Sequence, residues 1–469
     1  MQTNDFSNLP TSWQIKTLGE IFLIERGGSP RPIKNFLTND ENGINWIKIG
    51  DTKNVSKYIY STAEKIKPEG KKHSRFVEIG DLILSNSMSF GHPYIMKTTG
   101  CIHDGWVVFR NTKKLIDEEY AYYALISNQI YAEFSKLATG STVKNLSIDR
   151  IKQVAIPLPP LEIQKHIVAR LESAFEKIEK GSAHLQDAKT KLAKYKQSLL
   201  KSAFDGTLFC HTEGEARSIS NQESRDILLT LNMTNSPSLR ASVASVAIHE
   251  SKVDCHDLTS SNLAITDKEN PKLPQGWTIK TLGEVFKVVG GGTPSTAKTE
   301  FWNGNIAWIT SADIDLQSFI ITPKRFITNE AIQSSTTNCV EKDTIIVVTR
   351  VGLGKVGITD RQTCFSQDSQ ALIPLENVNV KFMAFQIKNQ AKNFISVSRG
   401  TTINGITKNT LKELKLVVPP LEIQKQIVKL LEKHLQHADK TGKFIESALN
   451  KAKQLKQSLL KSAFLGKLT

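Results

Sequence analysis

The chain is predicted to be an α+β protein made of two copies of one unit, each a globular domain followed by a long helix. Three observations predict this. Residues 159–204 begin PPLEIQK and end KQSLLKSAF, and residues 419–464 begin and end with the same words, so that Pro419 and Phe464 each lie 260 residues after Pro159 and Phe204. Residues 9–30, LPTSWQIKTLGEIFLIERGGSP, match residues 273–294, LPQGWTIKTLGEVFKVVGGGTP, with Trp277 lying 264 residues after Trp13. Each globular stretch mixes β-like alternation with short helical patterns, which argues for an α+β fold with many loops.

The helices are the clearest elements. Ile167, Leu171, Ala174, Ile178, Gly181, Leu185, Ala188, Leu192, Tyr195 and Leu199 alternate steps of four and three. The second copy sets Ile427, Leu431, His434, Ala438, Thr441, Ile445, Ala448, Ala452, Leu455 and Leu459 in the same frame. Such a heptad seam predicts a coiled-coil helix, which needs an apolar partner, and the chain carries its own. Paired prolines stand just before each helix, where a missing N–H costs least. The residues expected to pair the helices are Ile167, Leu171, Ile178, Leu185, Leu192, Leu199, Ile427, Leu431, Ile445, Leu455 and Leu459.

Within the globular parts, residues 13–16 read as a strand leading into a short helix that ends at Gly27-Gly28. INWIKIG (44–50), GDLILS (80–85) with its copy KDTIIVV (342–348), WVVFR (106–110) and ALIPL (371–375) read as strands. Asp117-Glu118-Glu119 opens a helix expected to run to about Leu137. TGSTVKNLS (139–147) and RGTTINGIT (399–407) read as polar loops. The order is then domain 1–158, helix 159–205, linker 206–272, domain 273–418 and helix 419–469. The linker is rich in Ser, Asn, Thr and Asp, and Ile227-Leu228-Leu229 within it suggests a short helix.

The formal net charge is +15 and the pI about 9.4. A polyanion is the natural partner of such a surface, and nucleic acid is the commonest one. Five scattered cysteines, Cys101, Cys210, Cys255, Cys339 and Cys364, form no CxxC and read as a reducing compartment without a disulfide framework. The first residues lack the basic and apolar regions of a signal peptide, and no stretch approaches 18 uninterrupted apolar residues, so a cytoplasmic protein with no membrane contact is expected.

Catalytic motifs are absent. There is no GxxxxGK[ST], HExxH or GxSxG, and PPLEIQ lacks the flanking residues of an amino-methyltransferase loop. TRVGLGKVG spells GxGxxG through Gly352, Gly354 and Gly357, but no helical pattern follows to hold a pyrophosphate. His434 and His437, three apart on a helix, lack a third ligand for a metal. Asp81 and Asp343 suggest nuclease carboxylates, although each precedes a strand where a turn-capping role is the simpler one. What remains is binding chemistry. Arg26, Lys34, Lys48, Ser87, Lys144 and Asn145 in the first copy, and Arg325, Arg350, Lys355, Arg399 and Asn404 in the second, are the candidates for phosphates and base edges. Lys189, Lys191, Lys194, Lys196 and Lys201 crowd the end of the first helix, reading either as a solvated helix C-terminus or as contacts to DNA backbone or an acidic subunit.

The words W-x-I-K-T-L-G-E, GG-[ST]-P, PPLEIQK, and KQSLLKSAF followed by Gly206 and Leu208 or Gly466 and Leu468 resemble the specificity subunit of type I DNA restriction–modification systems (HsdS). NQESRDILL (221–229) resembles the segment after that family's central helix. The resemblance implies target recognition domains at 1–158 and 273–418, with the long helices as central and distal conserved regions. It implies no catalysis and no cofactor in this chain. It implies as partners double-stranded DNA, two adenine methyltransferase (modification) subunits using S-adenosylmethionine, and restriction/translocase subunits using ATP and Mg. Antiparallel helices related by a pseudo-twofold would hold two reading heads apart, so a bipartite, asymmetric target is expected, with half-sites centred about 10 bp apart. A structural coiled-coil scaffold and a cryptic nuclease are the alternatives.

Overall fold

The computed structural model describes residues 9–53, 55–86, 91–138, 146–210, 273–316, 318–398 and 405–468. Their contacts form two compact units, Met1–Leu185 with Glu446–Thr469, and Gln186–Ile445. Each unit therefore holds one globular domain and about half of each long helix.

In the first unit one five-stranded sheet runs in the order Leu23–Arg26, Trp106–Arg110, Leu82–Ser85, Pro93–Met96 and Tyr58–Ile59. A second runs Leu37–Thr38, Glu64–Ile66, Ile44–Ile47, Gly100–Ile102 and Arg75–Val77. The central strands of the first sheet are buried on both faces, which is why their sequences read as continuous apolar runs. Ile83, Trp106 and Val108 face the second sheet with Ile47, Val77 and Ile102. The alternate residues Leu82, Leu84, Val107 and Phe109 face the helices, beside Tyr120, Leu125, Ile167 and Leu171. A strand's period of two puts neighbours on opposite faces, so one strand serves both cores.

The second unit repeats this plan with four strands in each sheet. Phe286–Gly290, Ser369–Pro374, Ile345–Val348 and Val356–Ile358 form one. Arg325–Ile327, Ile306–Ile309, Thr363–Phe365 and Cys339–Val340 form the other. In each unit a two-stranded antiparallel ribbon ties the start of the domain to its last strand: Gln14–Thr17 with Ala155–Leu158, and Thr278–Thr281 with Lys415–Val418. The words K-T-L-G-E become one helical turn after this ribbon, opened by a capping box of Thr17 with Glu20 and of Thr281 with Glu284.

The long helices are Leu161–Phe204 and Leu421–Phe464, each 44 residues and so about 66 Å long. Within each unit their segments run antiparallel. In the first unit Lys456 Nζ meets Glu179 at 2.7 Å, and in the second Lys196 Nζ meets Asp439 at 2.5 Å while Tyr195 Oη lies 3.1 Å from His434 Nδ1. Each helix tail completes the core of the domain it does not follow in sequence. Leu460, Ala463 and Phe464 are buried with the first domain, and Leu199 and Ala203 with the second. The repeated word KQSLLKSAF is this docking surface.

The apolar stripe departs from the expected frame near the end of the second helix. Leu455 is 46% exposed, whereas Ile445 and Leu460 are buried. A straight helix drifts about 20° per heptad against a strict seven-residue repeat, so the buried stripe moves off the a/d positions. Ile167, Leu171, Leu199, Ile427 and Leu431 are also buried, while Ile178, Leu185, Leu192 and Leu459 are half-buried.

Three other expectations are corrected. The helix expected before Gly27 is only Leu18–Ile21, and Leu23–Arg26 is a strand paired with Trp106–Arg110. The helix expected from 117 to about 137 is two helices, Glu118–Leu125 and Asn128–Leu137. Ser127 breaks it: its hydroxyl donates to Ala124 O at 2.7 Å and accepts the Ile130 N–H at 3.4 Å, ending one helix and capping the next. The second copy has no such serine and runs unbroken from Val380 to Ser398. Finally, Cys339 and Cys364 form a cross-strand disulfide, their Cα atoms 4.0 Å apart. Strand register brings them together, which their separation of 25 residues did not advertise. The expected linker beyond residue 210, including residues 227–229, lies outside the described residues, as does most of each polar loop.

Candidate nucleic-acid interface

In each unit a pair of glycines carries the chain across a turn between two strands, residues 102–106 in the first and 365–369 in the second. Gly27 and Gly28 donate to Trp106 O (2.9 Å) and Ile102 O (3.1 Å). A Cβ on Gly27 would lie 2.1 Å from His103 O, so no other residue fits. Gly291 and Gly292 donate to Ser369 O and Phe365 O, and a Cβ on Gly291 would lie 2.2 Å from Ser366 O. The next residue carries a hydroxyl. Ser29 Oγ donates to Asp104 Oδ1 at 2.8 Å, and Thr293 Oγ1 to Gln367 Oε1 at 2.5 Å.

Around Asp104 the first unit opens a cleft of two adjoining cavities of about 400 and about 530 Å³. Arg26, Lys48, Gly50 and Gly105 line one side, and Arg31, Lys34, Trp46 and Glu64 the other, with Lys48, His103 and Asp104 shared. The predicted residues Arg26, Lys34 and Lys48 thus come together. Arg26 Nε donates to Asp104 O at 3.1 Å, Lys48 pairs with Glu64 at 2.5 Å, and Arg31 Nη2 lies 3.8 Å from Asp104 Oδ2. The Ser29 hydroxyl holds the Asp104 carboxyl below its usual pKa, so it is ionised at neutral pH. Burial holds His103 below its usual value, leaving the ring uncharged there. Four cations against two carboxylates make the cleft basic.

In the second unit Arg325 stacks on Trp308, its guanidinium carbon 4.4 Å from the ring centroid, and its Nη2 lies 3.5 Å from Thr310 Oγ1. Arg350 is exposed beside the turn at residues 365–369, its backbone N–H donating to Asp368 O at 3.3 Å. Lys355 is tied back, its Nζ donating to Ser311 O at 2.7 Å. Ser87, Lys144, Asn145, Arg399 and Asn404 lie outside the described residues.

The remaining candidates have local roles. Asp81 accepts the Glu78 N–H at 2.9 Å and lies 3.6 Å from Arg110, and Asp343 occupies a left-handed turn at φ 62°. Gly352 and Gly354, at φ 86° and 87°, sit between the paired strands Ile345–Val348 and Val356–Ile358. His434 contacts Tyr195, and no group of three or more metal-ligating side chains occurs among the described residues. Among those residues no helix is long and apolar enough to cross a membrane.

Sequence reasoning passed over Ser29, Arg31, Asp104, Thr293 and Gln367. The signal was the [ST] of GG-[ST]-P, a hydroxyl kept in both copies, but its partner is on a distant strand end.

A family model described as the type I restriction modification DNA specificity domain matches residues 10–185 and again residues 274–450. The chain belongs to that family. Among its relatives, the EcoR124I/EcoR124II specificity subunit of Escherichia coli is 34% identical over 161 residues, covering 33% of this chain and 40% of that protein. The type I restriction enzyme HindI specificity subunit of Haemophilus influenzae is 20% identical over 463 residues, 93% of this chain and 97% of the relative. In the relatives with higher identity the matched stretch spans only about two fifths of their length. A solved chain from work on complex assembly and conformational transition of the type I R-M system superposes with a TM-score of 0.71 at 18% identity, covering 98% of this chain and 99% of that one. Two specificity domains in one chain match the two repeats read from the sequence.

Proposed function

We propose that this chain is the DNA-reading subunit of a type I restriction–modification assembly. Each globular domain reads one half-site of a bipartite, asymmetric duplex target. The chain directs adenine methyltransferase subunits and restriction subunits to that target and performs no chemistry itself. S-adenosylmethionine and ATP with Mg belong to those partners. One observation carries the reading: the same glycine pair, hydroxyl and strand frame is built twice, while the exposed side chains upon it differ. A repeated scaffold with diverged tips suits two half-sites of unlike sequence. The scaffold-only alternative has no use for a basic cleft, and the nuclease alternative asks Asp81 and Asp343 for roles their turns already explain.

The test is selection from random duplexes with the full chain and its co-expressed modification subunits. A split consensus, bound with an affinity that falls steeply with salt, is expected, because each neutralised phosphate adds about −0.9 to the log–log slope. Recovery of no sequence preference refutes the reading.

A further inference from the structure

The first unit's cleft and the equivalent surface of the second unit can be compared position by position, because their backbone hydrogen bonds fix the equivalence. Gly28 donates to Ile102 O and Gly292 to Phe365 O, while the N–H groups of Asn86 and Thr349 meet Gly105 O and Asp368 O. Asp104 therefore corresponds to Gln367. In the neighbouring sheet, Trp46 pairs with Glu64 and Trp308 with Arg325. The Lys48 and Thr310 N–H groups donate to Asp51 and Asp313 at 2.7 and 2.8 Å, so Lys48 corresponds to Thr310.

At these positions the scaffold is constant and the chemistry is exchanged. The hydroxyl of Ser29 or Thr293 grips one oxygen of the side chain at the strand end in both units. The side chain gripped is a carboxylate in one and an amide in the other. An ion pair between Lys48 and Glu64 becomes a contact between Thr310 and Arg325. Holding the side chain is thus common to both units, whereas its charge is not. Gly290 and Ser295 stand where Arg26 and Arg31 do, so the second unit exchanges the neighbouring cations as well. A carboxylate in a basic cleft is also repelled by phosphate, so Asp104 is no backbone ligand.

We propose that Asp104 and Gln367 are the equivalent base-reading residues of the two units, Asp104 accepting the amino group of cytosine and Gln367 pairing with the amino–N7 edge of adenine. Ser29 and Thr293 are their positioning residues. The assignment follows from donor inventories. An ionised carboxylate only accepts, which suits the exocyclic amine that cytosine presents in the major groove. The Gln367 oxygen has a second lone pair beyond the one facing Thr293, and its amide nitrogen donates, which together match adenine N6 and N7. Gln367 is exposed and Asp104 half-exposed, as a groove-reading side chain must be. The inference rests on the DNA-reading function proposed above.

The experiment compares consensus sequences selected from random duplexes by the wild-type chain and by Asp104→Gln, Gln367→Asp, Ser29→Ala and Thr293→Ala, each with the co-expressed modification subunits. The exchanged side chains already occupy the homologous slot of the other unit, so both exchanges fold. Asp104→Gln should change one base pair of one half-site, with cytosine giving way to adenine, and leave the other half-site unaltered. Gln367→Asp should do the reverse in the other half-site. Each exchange should cost about 5- to 150-fold in binding to the original sequence. Ser29→Ala and Thr293→Ala should broaden preference at those same two positions. A specific wild-type chain whose exchanges weaken all sequences equally, or leave both consensus sequences intact, overturns this assignment while sparing the DNA-reading function. A wild-type chain with no preference overturns both.

Discussion

Gln164 Oε1 accepts the backbone N–H of Asp117 at 2.8 Å. Its amide nitrogen donates to Pro159 O at 2.8 Å and to Leu115 O at 3.2 Å. Gln424 does the same in the second unit, accepting the Asn379 N–H at 2.8 Å and donating to Pro419 O at 2.8 Å. The two side chains are 0% and 1% exposed. One amide therefore joins the start of a long helix to the start of the domain's helical layer, and it accounts for the glutamine of PPLEIQK.

Replacing Gln164 by Leu strands an N–H and two carbonyls in the interior. We expect a loss of about 2 to 3 kcal/mol, since unpaired buried polar groups cost more than a hydrogen bond gains. Urea unfolding monitored in the first unit measures this. A loss below about 0.5 kcal/mol would show that the amide is not the staple.

Phe464 rests edge-on against Tyr120, their centroids 5.3 Å apart, and is 2% exposed. Phe464→Ala should cost about 3 to 4 kcal/mol, and the loss should fall on the first domain although the residue ends the second repeat. Limited proteolysis of the two domains tells them apart. Faster cleavage of the second domain instead would contradict the crossed docking.

Lys57 is ringed by Glu119, Glu172, Tyr58, Tyr122 and Tyr123, with Glu172 at 2.8 Å. Burial pulls its pKa down, but hydrogen bonds to Glu119 and Glu172 outweigh this and raise it above the ordinary lysine range. A raised folded pKa gives stability that is complete below the unfolded value near 10.4 and is lost only as pH climbs towards the folded one. Lys57→Met should therefore cost about 2 to 3 kcal/mol equally at pH 7 and pH 9, with the difference shrinking only in strong alkali. Chemical denaturation at the two pH values tests this, and a penalty that vanishes by pH 9 refutes it.

Adding seven residues to each long helix should change the spacing tolerated between half-sites while leaving the bases read unchanged. Methylation mapping on spacer libraries reports the outcome. An unaltered spacing would mean the helices do not set it.

Much of the fold was legible because it obeys simple periods. Leu82–Ser85 and Trp106–Arg110 declared themselves as apolar runs, and the duplicated helices by their heptads. The missed features depend on partners far away in sequence. Ser127 splits a helix through its own hydroxyl, a choice that the apolar pattern around it does not reveal. Leu455 was assigned to a seam that holds only while the helix keeps a strict seven-residue repeat. At the site, Arg26, Lys34 and Lys48 could be chosen as cations near glycines, but Asp104 and Gln367 gain meaning only when a strand end places them against Ser29 and Thr293.

The crossed docking of the helix tails also has a consequence for chain topology. Beyond each tail a glycine in the left-handed region abuts a proline. A Cβ on Gly466 would lie 2.5 Å from Pro10 Cδ, and one on Gly206 2.5 Å from Pro274 Cγ. These joints are alike, yet the second brings together residues 206 and 274, joined by residues 207–273, and the first brings together residues 10 and 466 from opposite parts of the sequence. Covalent continuity is thus incidental to the joint: a polypeptide whose residue 468 is joined through a short linker to residue 9, and which is opened between residues 211 and 272, is expected to keep the described contacts in a new reading order.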